Sequence, residues 1–318
     1  MGIKLAITGI NGYLGKVLLP RLISDPDIDS IVGIDVTPFS DPPASEKVAF
    51  HQVDIRDPEI ESLLKGCDVV LHMAFKLMRL PGANDTDKIN IDGSKHVFDL
   101  AATLGIPKLI FTSSVVAYGL HADNPIPLAE KMPLRPNEGL YYSRAKAELE
   151  GFLDHLSTKY PNMVITRLRP CTIVGPTVAR PMVESLISNT LIMVKGYNPP
   201  YQLVHEDDVA SAIYLAIKDD LHGAYNATGS DPVPLKVLVE ERGGKAIALP
   251  LAVLKPLIWL LWRTGQSVFA PEWLDLSRYP LIALNTKLKA AGWSPEYDTR
   301  QAYSALIEAF DETVGVQV

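Results

Sequence analysis

The sequence predicts an α/β chain: a doubly wound parallel sheet followed by a smaller, mainly helical C-terminal lobe. Three observations carry this. Short apolar runs alternate with amphipathic, helix-length segments through the first half, which implies parallel strands joined by right-handed crossovers. A glycine turn joins the first run directly to a helix. The residues able to do chemistry cluster just past the strand-like runs, at the strand carboxyl ends where open parallel sheets bind ligands.

The first strand is Ile3–Thr8, followed at once by Gly9-Ile-Asn-Gly12-Tyr-Leu-Gly15 and a helix with apolar positions Leu14, Val17, Leu18 and Leu22. Strand, glycine turn and helix together make a Rossmann-type dinucleotide site. Gly9 permits the tight turn, Gly12 lets the backbone approach a pyrophosphate, and Gly15 lets the helix pack on the strand. Amides at the helix N-terminus face the anion. The second strand, Ile31–Asp35, ends in an acid twenty residues past Gly15, where a carboxylate accepts hydrogen bonds from an adenosine ribose. No Arg or Lys follows in Val36–Phe39, and a carboxylate repels a 2′-phosphate, so NAD is expected and not NADP.

A third strand, Val48–Val53, leads into Asp54-Ile55-Arg56-Asp57, and Asp57-Pro58 opens a short helix to Leu64. Cys67–His72 is the fourth strand and runs into Met73-Ala74. A helix spans about Asp87 to Leu104, and Lys108–Thr112 is the fifth strand, leading to Ser114, Tyr118 and Gly119. Some thirty residues on, Tyr142 and Lys146 stand four apart in a helical run, so phenol and amine share one face. Tyr141 is turned about 100° away.

Past Cys171 the alternation breaks up. Thr177–Val194 and everything from about Asp231 to Val318 read as helices and loops covering the sheet edge. Asp207 or Asp208 is the expected N-cap of a helix with the stripe Val209, Ala212, Ile213, Ala216, Ile217. Neighbouring side chains diverge on such a helix, so no metal site is expected at His205–Asp208. The domain reading is a dinucleotide-binding unit over 1–170, with 203–226 packing back onto it, and a substrate lobe over 171–318.

Bulk properties narrow the class. At 318 residues, 47% apolar and 21% charged, the chain is an ordinary globular one. Its net charge of −7 argues against a nucleic-acid surface. Cys67 and Cys171, the only cysteines, lie in apolar surroundings; no disulfide framework is expected, and a reducing cytoplasm fits. The N-terminus enters a strand and not the apolar core of a signal peptide. The longest apolar run, Ala246–Trp262, is broken by Pro250, Lys255 and Pro256. It reads as a buried or interface helix, the alternative being a membrane-surface or partner-docking helix, with no stable insertion expected.

In their order and spacing these pieces resemble the extended short-chain dehydrogenase/reductase superfamily, in its NAD-dependent epimerase/dehydratase branch. The matching segments are Gly9-xx-Gly12-xx-Gly15, Asp35, Asp54-Ile55, Leu71-His-Met-Ala74 and Asn90-Ile-Asp-Gly93. Further matches are Phe111–Gly119, Tyr142-xxx-Lys146, Arg169-Pro170-xxxx-Gly175-Pro176, Val204–Ala210 and Gly223–Ala227. The resemblance implies that Tyr142 is the catalytic acid/base, that Lys146 binds the nicotinamide ribose and acidifies the phenol, and that Ser114 bonds the reacting hydroxyl. It assigns Gly9, Asn11, Gly12, Tyr13, Leu14, Gly15 and Asp35 to the cofactor. Asp54 and Ile55 would receive the adenine, Met73, Ala74 and Phe75 would line the ribose path, and Pro170 would back the nicotinamide. Asn90 is the more structural residue.

The chain departs from the nucleotide-sugar enzymes of that branch in its second half. Where they commonly carry an Arg four residues before the His of the Val-His block, this chain has Tyr201, and Thr172 stands where an Asn is frequent. Losing a cation opposite a diphosphate matters because Arg pairs with phosphate bidentately; Arg180 could substitute. The expected substrate is therefore a small molecule, a sugar, nucleotide sugar or related hydroxy compound. Net dehydrogenation of a non-nucleotide substrate is the alternative, and a non-catalytic NAD sensor is the alternative of another class. Val115-Val116, where dehydratases often carry an Asp-Glu pair, disfavours dehydration. A homodimer through Asp87–Leu104 and Tyr142–Tyr160 is expected by the same resemblance.

Overall fold

The first apolar run is β1 (Ile3–Thr8), whose Leu5, Ala6 and Ile7 are buried, as befits a central parallel strand covered on both faces. The computed structural model describes residues 2–39, 43–78 and 85–315; residues 316–318, the end of the expected lobe, lie outside them. β1 pairs in parallel with β2 (Ile28–Asp35) on one side and with β4 (Val69–His72) on the other. β3 (Val48–Gln52) lies outside β2, while β5 (Lys108–Thr112) and β6 (Val164–Pro170) continue from β4. A strand from the second half, β11 (Gly223–Ala227), completes the edge beside β6. The order is β11-β6-β5-β4-β1-β2-β3, so the chain reverses direction of growth between β1 and β4, the switch point at which such sheets open a crevice.

Two apolar layers sandwich the sheet. On one face α1 (Tyr13–Ser24) and α6 (Glu206–Lys218) bury Leu14, Leu18, Leu22, Val209, Ile213 and Ile217 against the strands. On the other, α2 (Glu59–Leu64), α3 (Gly93–Thr103) and α4 (Tyr141–Lys159) bury Ile60, Leu64, Phe98, Leu149 and Leu153. The helix expected from Asp87 begins with a wider, π-helical turn, Lys88–Asp92. Asn90 lies in that turn, fully buried, and its amide holds the Lys76 backbone at both N–H (2.7 Å) and C=O (2.8 Å). A mid-helix π turn is a known companion of functional sites; here it helps fix the loop after β4.

The second half contains short strands. β7 (Thr172–Val174) pairs with β10 (Leu203–His205) in parallel. β8 (Thr190–Val194) follows α5 (Arg180–Ile187) and pairs in parallel with β13 (Lys245–Leu249), while β9 (Pro200–Tyr201) meets β12 (Val233–Pro234) antiparallel. Among them, β8, β12 and β13 fall in stretches that read as helices and loops. All of these runs are two to five residues long and their partners lie far along the chain. Strand formation then depends on tertiary pairing more than on local propensity. α7 (Leu235–Glu241), α8 (Leu251–Arg263), α9 (Thr286–Ala290) and α10 (Thr299–Gly315) complete the lobe.

The cap of α6 also differs from expectation. His205, and neither aspartate, is the N-cap, its Nδ1 accepting from Asp207 N–H at 3.2 Å. Asp208 turns away to accept from Glu296 and Tyr297 N–H at 2.7 and 3.2 Å, which ties α6 to the segment before α10. Glu206 accepts from Thr177, while the Asp207 carboxylate lies 3.3 Å from His205 Nδ1. The apolar run is split: its start belongs to β13, its remainder to α8, of which Leu254 alone is buried. Among the described residues no helix is long and apolar enough to cross a membrane.

Candidate active site at the sheet switch point

The glycine turn lies against the end of β4. Gly9 has φ +76°, and a Cβ there would stand 2.6 Å from Ala74 N; a Cβ on Gly15 would stand 2.0 Å from Ile10 O. Both positions therefore require glycine on packing grounds alone. Gly12 faces mostly open space, its nearest neighbour being Gly9 O at 3.1 Å, so the cradle has room on the side where the helix amides converge. Asn11 Oδ1 is buried without a hydrogen-bond partner among the described residues, an acceptor that a ribose hydroxyl could satisfy. Asp35, at the end of β2, accepts from Asn11 N–H and from the N–H and hydroxyl of Thr37. Cradle, orphan acceptor and carboxylate fit an adenine dinucleotide.

Other cofactor candidates have defined surroundings. Asp54 is gripped by Arg56 through Nε (2.9 Å) and Nη2 (2.7 Å), and Arg56 reaches on to Asp85 at 2.9 Å. Ile55 is a core residue whose carbonyl accepts from His96 Nδ1. Met73 N–H donates to Thr8 O, and Ala74 N–H to the Thr8 hydroxyl. His72, fully buried between the Thr8 and Ser94 hydroxyls, is held neutral, its pKa pushed down to about 3 by burial and then by the charge of Lys146.

On α4 the phenol and amine project toward the strand ends. Lys146 is 2% exposed, and its Nζ donates to Thr112 O at 2.7 Å while lying 3.7 Å from the Phe75 ring centroid and 5.7 Å from that of Tyr142. Tyr142 packs edge-on against Phe75, with the Ser114 hydroxyl close enough to lower its pKa. Burial pushes Tyr142 up to about 12, the Ser114 hydrogen bond opposing it. Burial pushes Lys146 down to about 7, opposed by the charge of Glu150 one turn on. Tyr141 points elsewhere: its hydroxyl donates to Thr86 O and accepts from Asn90. Ser114 also caps the short turn Val115–Tyr118 by accepting from Val116 N–H at 3.2 Å, and donates to Pro170 O at 3.5 Å. Tyr13, at the start of α1, has its pKa raised by burial and then by the nearby Tyr142.

Three sets of contacts in the site could not be read from the sequence. Trp273, in the turn Pro271–Ser277, packs against Tyr142 in a tilted arrangement with centroids 5.7 Å apart, and Phe269 packs edge-on against Trp273. They come from more than a hundred residues downstream of Tyr142, with no motif around them. Beneath α4, Glu150 and Arg169 form a buried ion pair, and Arg169 donates to the Tyr118 hydroxyl at 2.7 Å. Thr172 donates to the hydroxyl of Tyr201 at 3.3 Å, so the two positions that depart from the nucleotide-sugar pattern contact each other. Arg180 is not brought to this cluster. It sits at the start of α5, bonded to Glu184 and lining a surface cavity with Ile307 and Phe310 of α10.

Lys146 makes stability depend on pH with a definite sign. Its folded value, about 7, lies below the ordinary 10.5, so between these limits the unfolded chain holds a proton that the folded chain does not. Stability should then rise with pH across that window and, on acidification, level off once the folded value is passed. The Lys146→Met protein lacks this contribution. Comparing denaturant midpoints of the two proteins from about pH 7 to about pH 9 should show the difference moving in favour of the wild type; a constant difference would contradict the depressed value.

Relatives cover nearly the whole chain. An uncharacterized protein of Mycobacterium tuberculosis is 23% identical, with 96% of this chain and 82% of that protein aligned. The 3beta-hydroxysteroid-dehydrogenase/decarboxylase isoform 1 of Arabidopsis thaliana is 24% identical over 84% of this chain and 67% of its own. A solved UDP-glucuronic acid 4-epimerase from Bacillus cereus, in complex with NAD, shares the fold with a TM-score of 0.76 at 16% identity, covering 98% of this chain and 99% of that one. Residues 5–227 match the NAD dependent epimerase/dehydratase family, and with that match over most of its length the chain belongs to this family of NAD-dependent enzymes of the extended short-chain dehydrogenase/reductase type.

Proposed function

We propose that this enzyme moves hydride between NAD and a carbinol carbon of a sugar or related hydroxy compound, with Tyr142 as the acid/base. The observation that carries the reading is the convergence of Ser114, Tyr142 and Lys146 beside the glycine turn, at the carboxyl ends of β1, β4 and β5. The amides of Gly9–Gly15, with Tyr13 and Leu14, hold the pyrophosphate, and Asp35 and Asn11 take the adenosine ribose. Asp54 and Ile55 border the adenine, Met73 to Phe75 the ribose path, and Pro170 backs the nicotinamide. Bound NAD supplies the hydride acceptor and, when oxidised, a positive ring beside the phenol.

The protein's own part is to take and return the hydroxyl proton. Ser114 orients the substrate oxygen toward Tyr142, and Tyr142 must lose its proton before it can serve as base. From a value of about 12, reaching neutrality requires roughly 7 kcal/mol at about 1.36 per unit. Protonated Lys146 and the oxidised nicotinamide are the two positive charges near enough to supply it, in a site whose burial strengthens both. The test is hydride transfer by the Tyr142→Phe protein, with cofactor binding measured separately.

Net oxidation or reduction of a non-nucleotide compound is the second reading, favoured by a specific observation. Thr172 and Tyr201 hold each other where a diphosphate-gripping cation would be wanted, Arg180 is engaged by Glu184, and Trp273 presents an apolar wall to Tyr142. Stoichiometric growth or loss of the reduced-nicotinamide absorbance with product distinguishes this from epimerisation. The buried free thiols of Cys67 and Cys171 suit a reducing cytoplasm. A homodimer through α3 and α4 belongs to the same proposal; sedimentation should give twice the chain mass, and a monomeric mass refutes it.

A further inference from the structure

The cofactor and substrate readings leave α8 without a task. Its exposed Val253, Leu257 and Leu260 recur at i, i+4 and i+7, a single stripe along the helix, and Trp259 is exposed further round it, between Lys255 and Arg263 in angle; all four apolar residues are between 42% and 53% exposed. Leu254 is the one buried residue of the helix. Such a helix has a large apolar surface in water and little of its own core, which marks an interaction site. The strand leading into it repeats the pattern. Ile247 of β13 and Ile192 of β8 are register partners, so they emerge on the same face of that small sheet, and both are exposed.

Charge says what kind of surface would cover this region. Between Glu241 and Glu272 the chain has Arg242, Lys245, Lys255 and Arg263 and no acidic residue, within a protein of net charge −7. Arg242 is turned inward to the carbonyls of Ile187 and Ser188. Lys245, Lys255 and Arg263 are exposed, and none pairs with a carboxylate among the described residues. An isologous contact with a second copy would bring these like charges toward one another. A negatively charged lipid surface accepts both halves of the pattern: acyl chains take the apolar stripe, and headgroups take the cations with the exposed Trp259 between them. At 13 residues the helix is too short to span a bilayer, which needs about 20, so it would lie in the interface.

We infer that α8, with the adjoining β8–β13 sheet, docks the enzyme reversibly on an anionic membrane surface. The same lobe carries Trp273, so docking would place the mouth of the site near the bilayer. The test is flotation of the full-length protein with vesicles of phosphatidylcholine containing about 30% phosphatidylglycerol, and with pure phosphatidylcholine. Binding to the anionic vesicles should be at least tenfold stronger and should weaken as salt rises. The exposed-face variants Leu257→Ser/Leu260→Ser and Lys255→Glu/Arg263→Glu should each lose about tenfold or more while keeping the wild-type melting curve. The tryptophan emission of the wild type should shift to the blue on binding, and Trp259→Phe should remove most of that shift.

Failure of the wild type to float overturns the inference, as does equal flotation with both compositions. So does flotation that neither double variant weakens. A wild-type mass that falls when Leu257 and Leu260 become Ser, in the absence of lipid, would assign the face to a second copy and overturn it as well.

Discussion

Tyr142→Phe should bind NAD with an affinity close to that of the wild type and turn over its substrate at least about 10²-fold more slowly, the usual scale for losing a general acid–base group. The ring is retained, so its edge contact with Phe75 and its tilted contact with Trp273 should survive, and the fold with them. What disappears, on the proposed mechanism, is the hydroxyl that exchanges a proton with the substrate. Because Tyr142 starts near 12 in the cofactor-free protein, ionising it depends on charge supplied by Lys146 and the oxidised nicotinamide. Removing one of those cations should therefore act in the same direction: Lys146→Met is expected to move the acid limb of the turnover profile, where Tyr142 loses its proton, to higher pH. Stopped-flow measurement of a single hydride-transfer step isolates this effect from product release. Near-normal transfer by the Phe protein would remove Tyr142 from the mechanism.

Much of this arrangement could be read from the chain before any coordinates. The five N-terminal strands, the glycine turn and the Tyr142–Lys146 face are local patterns, each specified by residues within about ten positions of one another. Gly9 and Gly15 were legible as turn and packing residues, although the atoms they must avoid, Ala74 N and Ile10 O, were not. Illegible features share a different physical origin. β8 and β13 exist because they pair across some fifty residues, and Trp273 reaches Tyr142 by the path of a whole lobe. The cap of α6 went to His205 because Asp208 was drawn to backbone amides of Glu296 and Tyr297. Arg180 looked available because sequence does not reveal that Glu184, one turn along, would hold it. Tertiary pairing decided all of these but the last, which is a local i,i+4 pair within α5.

Glu150→Gln should be the most damaging single change for stability, at about 3–5 kcal/mol. Glu150 is completely buried on the inner side of α4, where its carboxylate accepts from Arg169 Nε at 2.8 Å, from Arg169 Nη2, and from the Ser113 hydroxyl at 2.5 Å. Arg169 is 4% exposed. An amide in place of the carboxylate turns one acceptor into a donor facing a guanidinium, and leaves that cation buried without a counter-charge. Arg167 Nη1, 4.0 Å from the same carboxylate, adds a second positive group nearby. The charge of Glu150 also holds Lys146 up against its burial, so its loss should lower the lysine further and shift the pH at which Lys146 protonates. A double replacement, Glu150→Leu with Arg169→Met, removes both charges together and should cost less than Glu150→Leu alone or Arg169→Met alone, because the penalty comes from the unpaired ion and not from loss of net attraction. Denaturant midpoints for the four proteins give the coupling directly. Additive losses, or a single-variant cost below about 1 kcal/mol, would mean that water reaches the pair and that it does not hold α4 under the active-site residues.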